Sequence, residues 1–270
     1  MDNDEIKKFY SHHPDEIINK RFRSPYALRR YAHMKQYESV LGFVVSGMRV
    51  LDAGCGEGVL SIMMAKKGAI VTGCDLSSPN IEKCKLYAKE SGVSDKLEFL
   101  VGDAEQLPFA DNSFDLVVSS HVLEHLPDFN RGLSEIMRVT KKRAVVAIPT
   151  VCNLCSLVQV GRGWFYLKGL RSFISLPIGF LKAVLALILG KEGVNESYGG
   201  NKAAPHIFRF PWVLKKKSVK YGFRVVAYEA ATICAPFFES FLPIIRFLDK
   251  FKNKRVLRNF GYGTTYLIEK

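Results

Sequence analysis

The chain has 270 residues, 48% of them apolar and 24% charged, which excludes a disordered polymer and allows one substantial buried core. Its formal charge of +13 is unevenly spread: residues 47–150 carry a net −2, residues 151–222 a net +9 and residues 232–260 a net +4. A basic surface that acts through a uniform field is therefore excluded, and an anionic partner would meet the later segments rather than the middle.

Residues 4–46 read as helical, with Phe9, Tyr10, Tyr26, Tyr31 and Tyr37 among basic residues, and with Pro14 and Pro25 dividing shorter helices. Strands and helices then alternate, the pattern of a parallel sheet with crossover helices. Val50-Leu51 is the first strand and Asp52 closes it. Gly54, Gly56 and Gly58 follow, and a helix is expected over 60–67. A strand that turns through glycines into a helix brings bare backbone and a helix N-terminus close to a ligand. A dinucleotide fingerprint would place the third glycine three positions after the second. Here the interval is two and the strand ends in an acid, which suits a cationic or hydroxyl-rich ligand better than a pyrophosphate.

Further strands are expected at 69–75, ending in Asp75, at 97–101, followed by Asp103-Ala104, and at 114–120 and 144–148. Pro79 opens the helix after Asp75, and Leu133, Ile136 and Met137 mark the apolar face of another. A last crossover helix over 212–221 leads to strands at 223–228 and 264–268, which makes seven.

Two insertions interrupt this order. Residues 151–211 contain an apolar run, 170–190, broken by Arg171, Pro177, Gly179 and Lys182, so it is not expected to span a bilayer. In 236–260, Phe237, Phe241, Ile244, Leu248 and Phe251 fall on one helical face, with Arg246, Lys250, Lys252, Lys254, Arg255 and Arg258 close by. That is the composition of a helix lying in a membrane interface, with a lid packed on the core as the alternative. The charged N-terminus, Met1 to Lys8, has no apolar run behind it, so no secretory signal is expected. Six scattered cysteines suit reduced cytoplasmic thiols, and Cys152-x-x-Cys155 has no second pair to complete a zinc site.

The ordered set of Asp52-x-Gly54-x-Gly56-x-Gly58, Asp75, Asp103-Ala104 and the fourth-strand run through Leu123-Glu-His-Leu-Pro127 resembles the class I S-adenosylmethionine-dependent methyltransferases. The resemblance implies a Rossmann-like α/β fold: a seven-stranded, mostly parallel sheet with its last strand antiparallel, flanked by helices. Expected divisions are a helical cap at 1–46, a cofactor-binding core at 47–150, an insertion at 151–211, and the terminal helix and strands at 212–270. S-adenosyl-L-methionine is then the implied cofactor. The glycine loop would lie under its methionine part, Asp75 and Leu76 at its ribose, Asp103 and Ala104 at its adenine, and Ser119 and Ser120 near the reacting centre. Val50 to Gly58, Gly68 to Asp75 and Ala88 to Val93 are similar in wording to the O-methyltransferases of ubiquinone biosynthesis. That subfamily carries Glu-x-x-Glu-His, a divalent-metal motif, where this chain has His121-x-x-Glu124-His125. Our reading assigns these residues no metal.

Transfer to a phenol, an amine or an enolate calls for a general base. His121 is the first candidate, directly after the fourth strand, and His206 the second. The resulting expectation is a cytoplasmic protein, peripheral on the inner face of a membrane, that methylates a lipophilic acceptor such as a quinone precursor, prenylated phenol or lipid headgroup. The alternative is a soluble small-molecule methyltransferase with the insertions as a lid. Nucleic acid is not an expected partner, because no RNA-reading module is visible.

Overall fold

The computed structural model describes residues 3–12, 18–162, 170–196, 205–233 and 239–270. Pro14, Pro236 and Phe237 lie outside the described residues, as does part of each insertion. A cap of α1 (Asn3–His12), a π-helical turn (Ile18–Phe22) and α2 (Ala27–Leu41) precedes the sheet, with Pro25 just ahead of α2.

The core runs β1 (Arg49–Ala53), α3 (Val59–Lys66), β2 (Ile70–Asp75), α4 (Ser78–Glu90), β3 (Leu97–Val101), β4 (Phe114–Ser120), α5 (Phe129–Val139) and β5 (Thr140–Ile148). In the insertion come α6 (Leu154–Arg162), α7 (Leu170–Ile188), β6 (Gly193–Asn195) and β7 (Ile207–Arg209). The chain closes with α8 (Val213–Lys220), β8 (Arg224–Thr232), α9 (Leu242–Leu248) and β9 (Tyr262–Glu269).

Seven strands form one sheet in the order β3-β2-β1-β4-β5-β9-β8. The first five pair in parallel, and β9 is antiparallel to both β5 and β8. The central strands are covered on both faces, which is why Val50, Leu51, Val117 and Val118 form unbroken apolar runs and are fully buried. Chain direction across the sheet reverses between β1 and β4. The loops leaving their C-terminal ends therefore diverge and open a crevice, the place where such sheets bind ligands.

Several elements differ from the sequence pattern. β5 begins at Thr140 rather than 144, because Phe114 of β4 pairs with Thr140 and Glu269 of β9 pairs with Arg143, 2.7 Å from its guanidinium. β8 runs on to Thr232 because β9 starts early enough to pair Tyr262 with it. The β6–β7 ribbon has three residues per strand, too short for any periodicity to register. It is tied to the core where the Val151 N–H donates to the Arg209 carbonyl (3.0 Å).

Helix α7 packs on α6 and, among the described residues, no helix is long and apolar enough to cross a membrane. Gly179 is a packing position: a Cβ there would run into the Leu157 carbonyl of α6, and one on Gly161 into the Ser175 carbonyl of α7. Lys182 donates to the Val160 carbonyl (2.5 Å) near the C-terminal end of α6, a favourable place for a cation. The outer side of α7 is bare, with Phe180 61% and Ile188 74% exposed.

The single helix expected over 236–260 is a correction. The chain forms a 3-10 turn (Glu239–Phe241), the short α9, and further 3-10 turns at Asp249–Phe251 and Leu257–Phe260. Asp249 explains the break. Its carboxylate accepts from Thr232 Oγ1 (2.6 Å), the Ile233 N–H (2.6 Å) and the Tyr31 hydroxyl (2.8 Å), pinning the chain to the end of β8. Ile245 is buried against Leu28 and Cys155, whereas Phe241, Ile244, Phe247 and Leu248 are exposed. Two of the flanking cations turn inward: Lys252 donates to the Ala231 carbonyl (2.7 Å), and the Arg258 guanidinium lies 4.0 Å from the Tyr228 ring centre.

Candidate active site

The site begins with the β1–α3 turn. Asp52 is buried at the end of β1, and its Oδ2 accepts from Ser61 Oγ (2.6 Å). Burial pushes its carboxyl up to about 7, against the Ser61 hydrogen bonds and with help from the charge of Asp75. Gly54 has φ +84°, and a Cβ there would occupy the space of the Val122 side chain. Only glycine lets the loop pass beneath the β4–α5 segment.

Asp75 closes the turn from the neighbouring strand. Its Oδ2 accepts from the Gly56 N–H and its Oδ1 from the Ser77 N–H, each at 2.9 Å. Burial raises its pKa, and those bonds with Asn80 oppose the rise. Asp75 thus fixes the glycine loop and still has lone pairs facing the cavity. Asp103 is tied differently: its Oδ2 accepts from Lys7 Nζ of α1 (2.6 Å) and its Oδ1 from the Glu105 N–H (2.8 Å). Lys7 also lies 3.0 Å from Glu105. These ion pairs hold the N-terminal helix across the crevice.

Together these elements enclose a cavity of about 160 Å³. Asp52, Gly54, Gly56, Asp75, Leu76, Asp103, Ala104, Ser120 and His121 all line it. Gly58 and Ser119 are not on its wall. Gly58, at φ +74°, starts α3 and faces Cys84 and Phe99, and Ser119 is buried with no hydrogen-bond partner for its hydroxyl. Ile6, Lys7 and Tyr10 of α1, together with Arg21 and Asn80, also contribute and were not foreseen. Asn80 was legible as the third residue of Ser-Pro-Asn opening the helix after Asp75. The cap residues carry no local signal, since only the tertiary fold brings them to the crevice.

A second cavity, of about 60 Å³, adjoins the first and shares Arg21, His121 and His125 with it. His206, the second base candidate, lines this one only. His121 sits just past β4 at φ +59°, unusual for a residue with a side chain, and its N–H donates to the Ala147 carbonyl (2.8 Å). Its Nδ1 lies 3.1 Å from Glu124 Oε1, and its Nε2 is buried without a partner. An ionised carboxylate only accepts, so Nδ1 carries the proton and Nε2 presents a lone pair.

Glu124 is fully buried. Burial raises its pKa, but the His121 hydrogen bond and the fields of His121, His125 and His206 outweigh that and hold it at about 2. Burial pushes the His125 and His206 imidazoles down, His206 to about 3, so both are neutral near pH 7. The His121 hydrogen bond is then the chief support of the carboxylate. His125 Nδ1 faces the Pro205 carbonyl (3.0 Å) and the Tyr10 hydroxyl (2.9 Å), and its ring stacks on His206 with centroids 4.8 Å apart. Glu124, His125 and His206 each bring one donor atom within 4.8 Å of the others, a donor composition that divalent transition metals accept. The trio shares Glu124 and His125 with the His121-x-x-Glu124-His125 run and takes its third member, His206, from the approach to β7 rather than from His121.

Residues 51–148 match the family model described as a methyltransferase domain. A sterol 24-C-methyltransferase of Gibberella zeae is 40% identical over 103 residues, 38% of this chain and 27% of that protein. A ubiquinone biosynthesis O-methyltransferase of Chelativorans sp. is 36% identical over 105 residues, 39% of this chain and 41% of that protein. The chain spans well under half the length of these curated relatives. Magnesium protoporphyrin IX methyltransferase from Synechocystis PCC 6803, solved with bound SAH, has a TM-score of 0.56 at 18% identity, covering 99% of this chain and 93% of that one. That likeness is one of fold.

Residues 51–148 thus form a methyltransferase domain, carried by a seven-stranded sheet of the order β3-β2-β1-β4-β5-β9-β8.

Proposed function

We propose that this chain transfers the methyl group of S-adenosylmethionine to a lipophilic acceptor while docked peripherally on an anionic membrane, with His121 as general base. The carrying observation is that the two cavities meet at His121, whose Nε2 is buried without a partner and whose Nδ1 is held by Glu124. The cofactor supplies an electrophilic methyl on a sulfonium. Asp75 offers acceptors to ribose hydroxyls, and Asp103 and Ala104 edge the adenine end. Ser120 and His121 mark the reacting end. An acceptor in the second cavity lies beside Nε2, which takes its proton as the nucleophile attacks in line, and Glu124 stabilises the imidazolium that forms. No step is assigned to His206, neutral and stacked on His125.

Support for the membrane comes from the exposed apolar side of α7 and from Ile244 and Phe247, which lie in the two basic segments of the chain. An apolar groove of about 690 Å³ between α6, α7 and Phe260 has room for a hydrocarbon tail. The names of the relatives, a sterol and a ubiquinone-pathway methyltransferase, agree with a lipophilic acceptor. A soluble enzyme with the insertions as a lid is the second reading, favoured by the β6–β7 ribbon, which seats Phe208 on the second cavity's wall with His206 just ahead of it. Radiolabelled methyl transfer to a total lipid extract and to an aqueous metabolite extract separates the two. Label in the lipid extract supports the first, and label confined to the aqueous extract supports the second.

A further inference from the structure

The second cavity has a charge pattern that methyl transfer alone does not require. Two guanidinium groups line it, Arg21 from the turn at Ile18–Phe22 and Arg29 from α2. Its one lining carboxylate among the described residues is Glu124, whose Oε1 is engaged by His121 and whose Oε2 is buried without a hydrogen-bond partner, so the two guanidinium charges outnumber it. Arg29 Nε is buried with no hydrogen-bond partner. Burying a guanidinium donor unpaired is costly, so a cavity that keeps one is shaped for an acceptor arriving from outside. Arg21 bears on the same space, since its charge helps to hold the imidazoles of His33, His125 and His206 neutral.

At about 60 Å³ the cavity admits a compact head and not a whole lipid. The planar fork of a guanidinium matches a carboxylate, which it binds through two parallel hydrogen bonds.

We propose that Arg29, with Arg21, binds a carboxylate on the methyl acceptor, so that the substrate is an acid oriented with its anion on the arginines and its nucleophile toward His121. The N-terminal cap would then read the acceptor as well as cover the cofactor. This inference rests on the methyltransferase reading of the same site.

The experiment is calorimetric titration of the full chain, first with S-adenosylhomocysteine and then, in its presence, with 3-hydroxybenzoate and with 3-hydroxybenzyl alcohol, a pair differing at the carboxylate. We expect the acid to bind at least tenfold tighter than the alcohol. Arg29→Gln should abolish that preference and leave S-adenosylhomocysteine affinity unchanged, and Arg29→Lys should retain part of it. No preference in the wild type, including no binding of either probe at millimolar concentration, overturns the inference, as does a preference that survives Arg29→Gln. Inorganic phosphate that displaces the acid at equal concentration makes this a general anion site and overturns the carboxylate assignment. Failure of S-adenosylhomocysteine itself to bind sinks the methyltransferase reading instead.

Discussion

His121 Nδ1 lies 3.1 Å from Glu124 Oε1, and this contact decides which ring nitrogen can act as a base. With the proton held on Nδ1, Nε2 offers its lone pair where the two cavities meet. His121→Asn should lower kcat by roughly 10²–10⁴-fold, the usual contribution of a general base. Glu124→Gln should lower kcat less, because it removes the carboxylate that stabilises the imidazolium but leaves the base in place. Steady-state kinetics alongside S-adenosylhomocysteine titration checks both, since each variant should still bind S-adenosylhomocysteine while turnover falls.

Lys7 Nζ, 2.6 Å from Asp103, ties α1 to the rim of the cofactor cavity. The pair is partly exposed, so Lys7→Ala should cost no more than about 1 kcal/mol in global stability. Its effect should appear in cofactor kinetics, as faster release measured by stopped-flow fluorescence. Unchanged release would mean that α1 does not gate the crevice.

Asp52 makes the stability of the cofactor-free protein depend on pH. Its carboxyl ordinarily titrates near 3.8 and is raised by burial to about 7 in the fold. Between these values the folded chain holds a proton that the unfolded chain has lost. The contribution of Asp52 is therefore complete below pH 3.8 and is lost as pH rises toward 7. Asp52→Asn should remove this slope, becoming progressively more stable relative to wild type across that interval in paired urea melts. A constant difference between the two proteins would contradict the assignment.

The exposed face of α7 predicts membrane behaviour. Phe180→Asp combined with Ile188→Asp should reduce co-sedimentation with anionic vesicles severalfold and leave methyl transfer to a detergent-dispersed acceptor unaltered. Binding should also weaken with salt, since each basic residue near such a surface contributes about 1 kcal/mol. Wild-type protein that stays in the supernatant at low salt would rule out the docking surface.

Legibility from sequence followed the range of the interactions involved. Val50 to Gly58 and Asp75 could be read because a buried strand, a glycine turn and a strand-ending acid are local patterns. Lys7, Arg21 and Tyr10 could not be read, because only the packed cap brings them to the crevice. The residues from Asp249 onward misled for a related reason. Their spacing is helical, but hydrogen bonds to Thr232 and Tyr31 capture Asp249 and override the periodicity. Gly179, taken as a break, is the close-packed contact between α6 and α7. The Phe114–Thr140 pairing, distant in sequence, likewise set where β5 begins.

The most direct test of the account is transfer of radiolabelled methyl from S-adenosylmethionine to a total lipid extract by wild-type protein and by His121→Asn. The account predicts label in an extractable lipid with wild type, and its loss in a variant that still binds S-adenosylhomocysteine. Label that persists undiminished in His121→Asn, or that enters only the aqueous extract, would contradict it.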